Sequence, residues 1–190
     1  MAIYRSWDMN NVETIKIKIE SNWLRSGYFV YVAEIVYDKL KYLYIGQTGD
    51  NNYHTARAPF YRISGHFSKG VSTENQIIKY FKTKILCDVN VSKEYLEKAL
   101  IDSEISYTFW KICDFYFNID GNEFQHQIST CKAQMVEQWL IYNLQNKKGI
   151  TVLNDSVVNI ITASKKKSLG KEINNLIPLC EQIIEDLRYE

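Results

Sequence analysis

The sequence predicts an α+β domain: a small, mainly antiparallel three-stranded sheet flanked by helices, followed by a C-terminal amphipathic helix. Three observations carry that expectation. Two strand-like runs, Tyr28 to Tyr37 and Lys41 to Gly46, are separated only by Asp38-Lys39-Leu40. That connection is far too short for a parallel crossover, which needs about a dozen residues or more. Three helical patterns come next, then a third strand-like run, then a long helix, a loop and a last helix.

Each element has its own signal. Tyr28 to Tyr37 is dense in aromatic and β-branched residues, and its apolar groups fall on both alternating faces, the mark of a central strand. Lys41 to Gly46 pairs with it as a hairpin. Pro59 to Phe67 reads as a short helix with proline at the first turn. The next helix starts at Thr73, whose spacing to Gln76 matches a capping box, and it carries Ile77, Ile78, Phe81 and Ile85 inward. Ser92 to Ile101 forms a third short helix with Tyr95, Leu96, Ala99 and Leu100 apolar. Ile105 to Phe117 returns to strand character, and Asp120-Gly121 marks a turn. A longer helix runs from about Ser129 to Asn146, and the last one carries Leu176, Cys180, Ile183 and Leu187 on one side. The stretch from Val12 to Ile19 fits two patterns: Ile15, Ile17 and Ile19 alternate as in a strand, while Val12, Ile15, Ile19 and Trp23 form a helical stripe.

At 190 residues the chain fits a single domain, with 46% hydrophobic and 24% charged residues, the balance of a globular rather than a disordered protein. There is no apolar run long enough for a membrane span and no secretory pattern at Met1-Ala2-Ile3-Tyr4, so the expectation is a cytoplasmic protein with no membrane partner. Cys87, Cys113, Cys131 and Cys180 form no C-x-x-C pair, and His54, His66 and His126 are equally scattered, which excludes a zinc spacing. The net charge of +1 argues mildly against nucleic acid unless positive groups gather on one face. Arg57, Arg62 and Lys69 lie near one another, and Lys165, Lys166 and Lys167 form a cluster within Ser164 to Lys171.

The candidate chemistry starts on the long helix. Ala133, Val136, Leu140, Ile141 and Leu144 define an apolar arc, and Glu137 falls inside it, about 20° from Leu144 and about 40° from Ala133 and Ile141. A carboxylate aimed at a core is costly unless paired, protonated or metal-bound; an ion pair at the edge of the buried face is the plain alternative. On the hairpin, a turn centred on Lys39-Leu40 sets Tyr44 opposite Ile35, which shares a strand face with Tyr31. Both phenols then project to one side, and Gly46 allows close approach of another group. With 14 tyrosines in the chain, aromatic packing is the competing explanation. Arg62 and His66 stand at i and i+4 on one helix face, a pair suited to an anionic oxygen.

Together these pieces resemble the GIY-YIG nuclease family. Phe29-Val30-Tyr31 is similar to its first half-motif in a variant without the leading glycine. Tyr44-Ile45-Gly46, continued by Gln47-Thr48, matches the second half. Arg62-Ile63-Ser64-Gly65-His66 resembles the family's Arg-x-x-x-His helix, Glu137 its metal-binding glutamate and Asn154 its closing asparagine. The likeness covers about residues 28–154, leaving 1–27 as an N-terminal extension and 155–190 as a C-terminal helical one. Arg62 stands about 16 positions after Gly46, so Asp50-Asn51-Asn52-Tyr53-His54 reads as an inserted loop; Arg57 is the rival arginine but lacks a histidine four residues on.

The resemblance implies a GIY-YIG-like fold and hydrolysis of DNA phosphodiesters. It assigns Tyr31 as general base, with Tyr44 and His66 orienting water, base or phosphate. Arg62 neutralises developing charge, Glu137 holds one Mg²⁺ (or Mn²⁺), and Asn154 ties backbone or water near the site. The implied partner is the DNA phosphate backbone, with Arg57, Lys69, Lys165, Lys166 and Lys167 as further contacts and a homodimer through the C-terminal helix as one arrangement. Two alternatives stand beside it: a catalytically silent nucleic-acid-binding module, and a protein-interaction module on the same fold.

Overall fold

The structure is a computed structural model that describes residues 18–49, 56–67, 76–114, 123–145, 147–155 and 173–187. Within them the chain forms β1 (Gly27–Tyr37), β2 (Leu40–Gln47), α1 (Pro59–Phe67), α2 (Gln76–Tyr80), α3 (Lys93–Ile101), β3 (Glu104–Asp114), α4 (Glu123–Gln145), β4 (Thr151–Val152) and α5 (Ile173–Asp186). A 3₁₀ turn at Ser21–Leu24 precedes the sheet, and α2 runs directly into a π-helical turn, Phe81–Ile85. The sheet order is β3-β1-β2-β4. The three long strands are antiparallel, but β4 runs parallel to β2, pairing Thr151 with Tyr42 and Val152 with Leu43. The expected three-stranded sheet is thus corrected to a mixed four-stranded one. A two-residue strand has no alternation to read, which is why the sequence pattern passes over it.

The hairpin turn is also one residue earlier than expected. Asp38 and Lys39 are the two turn residues, at φ 49° and 63°, the positive values that a tight hairpin turn of the primed type requires. Tyr44 therefore pairs with Ala33 rather than Ile35, and Tyr31 with Gly46. The shift is two places along the partner strand, so the shared face of Tyr31 and Tyr44 is preserved.

Helix α4 begins six residues ahead of the expected Ser129, at Glu123. The start of α2 at Thr73, the turn at Asp120-Gly121, the loop at 50–54, Lys69, the cluster at Lys165, Lys166 and Lys167, and most of the ambiguous 12–19 stretch lie outside the described residues. Helix α3 has the start expected of it: Ser92 Oγ accepts a hydrogen bond from Tyr95 N at 3.2 Å, a capping contact typically worth about 1 kcal/mol.

Alternation along β1 and β2 divides the interior into two cores. Val30, Val32, Leu43 and Ile45 face α4 and α5, meeting Val136, Leu140, Leu144, Cys180 and Ile183. Tyr31, Ala33, Ile35, Tyr42 and Tyr44 face the other way, against Ile77, Ile78, Phe81, Leu96 and Ala99. β1 is central and buried on both faces, as its two-sided apolar pattern predicts. The apolar side of α5 (Leu176, Cys180, Ile183, Ile184), with Leu187 just after it, is packed within the chain's own core. No helix among the described residues is long and apolar enough to cross a membrane.

Candidate active site

Gly46 is the hinge of the site. A Cβ there would collide with the Tyr31 phenol at Oη and Cζ, so any side chain must push that ring or the strand aside. The Tyr31 ring thus lies directly across the backbone of β2 at the position where it pairs with Gly46. Phe109 on β3 stacks on the same ring (centroids 5.0 Å apart, 30° between planes), and Tyr44 tilts against it at 6.1 Å. Tyr31 is 0% exposed.

Helix α1 brings two nitrogens to that phenol. Arg62 Nε donates to Tyr31 Oη at 3.2 Å, and His66 Nε2 is hydrogen-bonded to the same oxygen at 3.1 Å. The i, i+4 spacing of Arg62 and His66 makes this convergence possible, since both side chains leave one face of α1. On its other side His66 Nδ1 is 3.0 Å from Tyr107 Oη. Tyr44 presents its ring edge-on to His66 at 6.0 Å. Arg57, the rival arginine, is exposed and ties α1 to the sheet through its backbone N–H, which donates to Thr48 O at 3.2 Å. A bridge pairs Gly49 with Ala56, three residues ahead of α1.

Electrostatics follow from burial. Desolvation pushes the Tyr31 phenol up to about 12; Arg62 opposes the rise without cancelling it, and the Glu137 charge adds to it. Tyr44 is likewise held protonated, by burial first and by Tyr31 next. His66 is brought down to about 4, by burial and then by the Arg62 charge, and is a neutral imidazole at neutral pH. For Arg62, burial works against the charge, but Tyr31, Tyr44 and Glu137 outweigh it and raise its pKa. Glu137, half-buried on α4 among buried Ala133, Val136, Leu140 and Ile141, is close enough for its charge to act on Tyr31, Tyr44 and Arg62.

Asn154 has a definite structural task. Its Oδ1 accepts from Ile45 N and its Nδ2 donates to Ile45 O, both at 2.8 Å. The amide therefore completes the ladder of β2 between Tyr44 and Gly46, where β4 has already ended. Lys84, which no sequence signal singled out, holds that segment in place. Its Nζ donates to Leu153 O at 2.5 Å, to Asn154 O at 3.3 Å and to Asp155 Oδ1 at 3.2 Å, and it lies over the Tyr80 ring. Thr48 is a second addition: its Oγ accepts from Phe29 N and donates to Gly27 O, joining the ends of β1 and β2.

Among the described residues no group of three His, Cys, Asp or Glu side chains gathers as a metal cage. Among the described residues, Glu137 is the carboxylate whose charge acts on Tyr31, Tyr44 and Arg62 together. One carboxylate amid hydroxyls suits a hard ion that keeps most of its waters and shares a phosphate, as Mg²⁺ does, and does not suit zinc. Comparison with protein-family models, curated proteins and solved structures gave no match.

Proposed function

We propose that this chain is a metal-dependent endonuclease of the GIY-YIG type that hydrolyses DNA phosphodiester bonds. The observation that supports this reading best is the convergence of Arg62 Nε and His66 Nε2 on Tyr31 Oη, across a glycine whose Cβ would collide with that phenol and within reach of the Glu137 charge. Aromatic packing alone does not call for a half-buried guanidinium and an imidazole on one phenol oxygen.

Hydrolysis needs a proton acceptor for water, a cation against the phosphate and help for the departing oxygen. Tyr31 is the acceptor in its phenolate form: its own proton first passes to bulk water, against the rise that burial imposes, and the phenolate, stabilised by the charge-assisted hydrogen bond from Arg62, then takes the proton of the attacking water. Arg62 donates through Nε to Tyr31, which leaves its terminal N–H groups to neutralise an approaching phosphate, a contribution of about 2.7–4 kcal/mol where single donors have been removed from comparable sites. His66 remains neutral and orients Tyr31, and Tyr44 walls the same space. Glu137 would hold the divalent ion, Mg²⁺ or Mn²⁺. When bound, that ion supplies positive charge to polarise the phosphate and steady the leaving oxygen. Asn154 keeps Tyr44 and Gly46 in register through the hydrogen bonds that both ends of its amide make to Ile45.

Supercoiled plasmid with Mg²⁺ or Mn²⁺ tests the reading. The protein should nick it, and a chelator or Glu137→Ala should stop the reaction. Equal nicking by Glu137→Ala would remove the metal assignment. One observation favours a second reading, a catalytically silent module that binds nucleic acid: Tyr31 is fully buried, as a purely packing tyrosine would be. Such a module would bind DNA in a salt-dependent way and leave the plasmid intact.

A further inference from the structure

His66 is held between two phenols. Its Nε2 is 3.1 Å from Tyr31 Oη and its Nδ1 is 3.0 Å from Tyr107 Oη, with the His66 and Tyr107 rings 24° from parallel. A neutral imidazole has one N–H donor and one bare nitrogen acceptor. The two hydrogen bonds must therefore have opposite polarity. Either His66 donates to Tyr31 and accepts from Tyr107, or it accepts from Tyr31 and donates to Tyr107.

The chemistry of Tyr31 separates the two. Arg62 already donates to its oxygen. Once that oxygen has lost its proton to bulk water, a second N–H at Nε2 stabilises the negative charge, whereas a bare Nε2 sets a lone pair against it at 3.1 Å. The favourable polarity requires an O–H donor at Nδ1, and the Tyr107 hydroxyl occupies that position. Burial keeps the Tyr107 phenol protonated, so it retains the hydrogen it must donate. Tyr107 is also two residues from Phe109, which stacks on Tyr31, so β3 fixes the ring of the base and the partner of its histidine together.

We propose that Tyr107 is a positioning residue: its hydroxyl donates to His66 Nδ1 and fixes the Nε2–H tautomer that faces Tyr31. The inference rests on the reading of Tyr31 as proton acceptor, but the tautomer can be observed without DNA. In the wild-type protein, ¹⁵N-labelled at histidine, long-range ¹H–¹⁵N correlation should show His66 with a bare Nδ1 and a protonated Nε2. Tyr107→Phe keeps the ring and removes the donor; the spectrum should move toward Nδ1–H, with backbone amide signals away from β3 unchanged. Single-turnover nicking by the variant should fall about 10- to 100-fold, the size of loss found when the partner orienting a metal-bound histidine is removed, while its affinity for DNA stays the same. A wild-type Nδ1–H tautomer, or a variant with unaltered His66 nitrogens, would overturn the proposal, as would undiminished nicking by the variant. Absence of nicking by the wild type would count against the nuclease reading alone, and the histidine spectra would still decide the role of Tyr107.

Discussion

Gly46 shows how much of this site depends on single atoms. The space its Cβ would fill is occupied by the Tyr31 phenol, so Gly46→Ala must push either the ring or β2 aside. Overpacking of this kind typically costs about 1–3 kcal/mol. Gly46→Ala is expected to lower the unfolding free energy measured in urea by that amount and to abolish nicking; a variant as stable as the wild type would mean that the ring has room to move. His66 makes a second prediction. In the unfolded chain it takes up a proton near its ordinary 6.5, but in the folded protein not until about 4, because burial and Arg62 oppose the charge. The folded pKa is depressed, so the unfolded state binds more protons between those values. Stability that is fully present above pH 6.5 is therefore lost as pH falls toward 4, by on the order of 3 kcal/mol. Urea titrations across that window should show a steep decline in the wild type and a flatter one in His66→Gln; parallel curves would contradict the buried neutral imidazole.

At the scale of elements, Asn154 stands in for a strand. Its side chain, not its backbone, serves the N–H and C=O of the fully buried Ile45 once β4 has run out. Asn154→Ala should destabilise the protein by about 2 kcal/mol, since unsatisfied buried polar groups cost about 1–3 kcal/mol each. Asn154→Asp retains the acceptor and should fall between the two in thermal unfolding; an alanine variant without loss would show that Ile45 finds other partners. What the sequence disclosed at this scale was local. The hairpin, α1 with its Arg62–His66 face, the apolar arc around Glu137 and the α5 stripe all follow from periods of two or 3.6 residues read within one segment. The hairpin turn was misplaced because Asp38-Lys39 lacks the glycine that usually marks such turns, yet the two-place shift left every side chain on its face. Pairings between distant segments were not legible. β4 is too short to alternate, and nothing in the chain sets the register that brings Tyr107 opposite Ala33 across the residues between β1 and β3. Lys84 reaches the 153–155 segment across a similar distance. For that reason Tyr31, Tyr44, Arg62, His66 and Glu137 could be named from motif spacing, while Tyr107 and Lys84 could not.

Over the whole molecule, the central strand β1 separates two cores with different tasks. The α4–α5 side is a continuous apolar block that anchors the helix bearing Glu137. The opposite side mixes apolar packing with the phenols and the imidazole of the site. A net charge of +1 leaves little long-range attraction for DNA, so binding must depend on positive groups gathered near the site. Affinity for a DNA duplex should fall linearly with the logarithm of salt concentration, and Arg57→Ala should reduce that slope by about 1 without changing sequence preference. A salt-independent affinity would instead place the chain among protein-interaction modules. The proposed chemistry turns on one oxygen, Tyr31 Oη, held by Arg62 and His66. Single-turnover cleavage of plasmid in Mg²⁺, compared between the wild type and Tyr31→Phe, tests it most directly, because phenylalanine preserves the packing and removes only that atom. Nicking by the wild type and a loss of at least about 100-fold in the variant, with DNA affinity retained, is the predicted result; equal rates in the two proteins would contradict it.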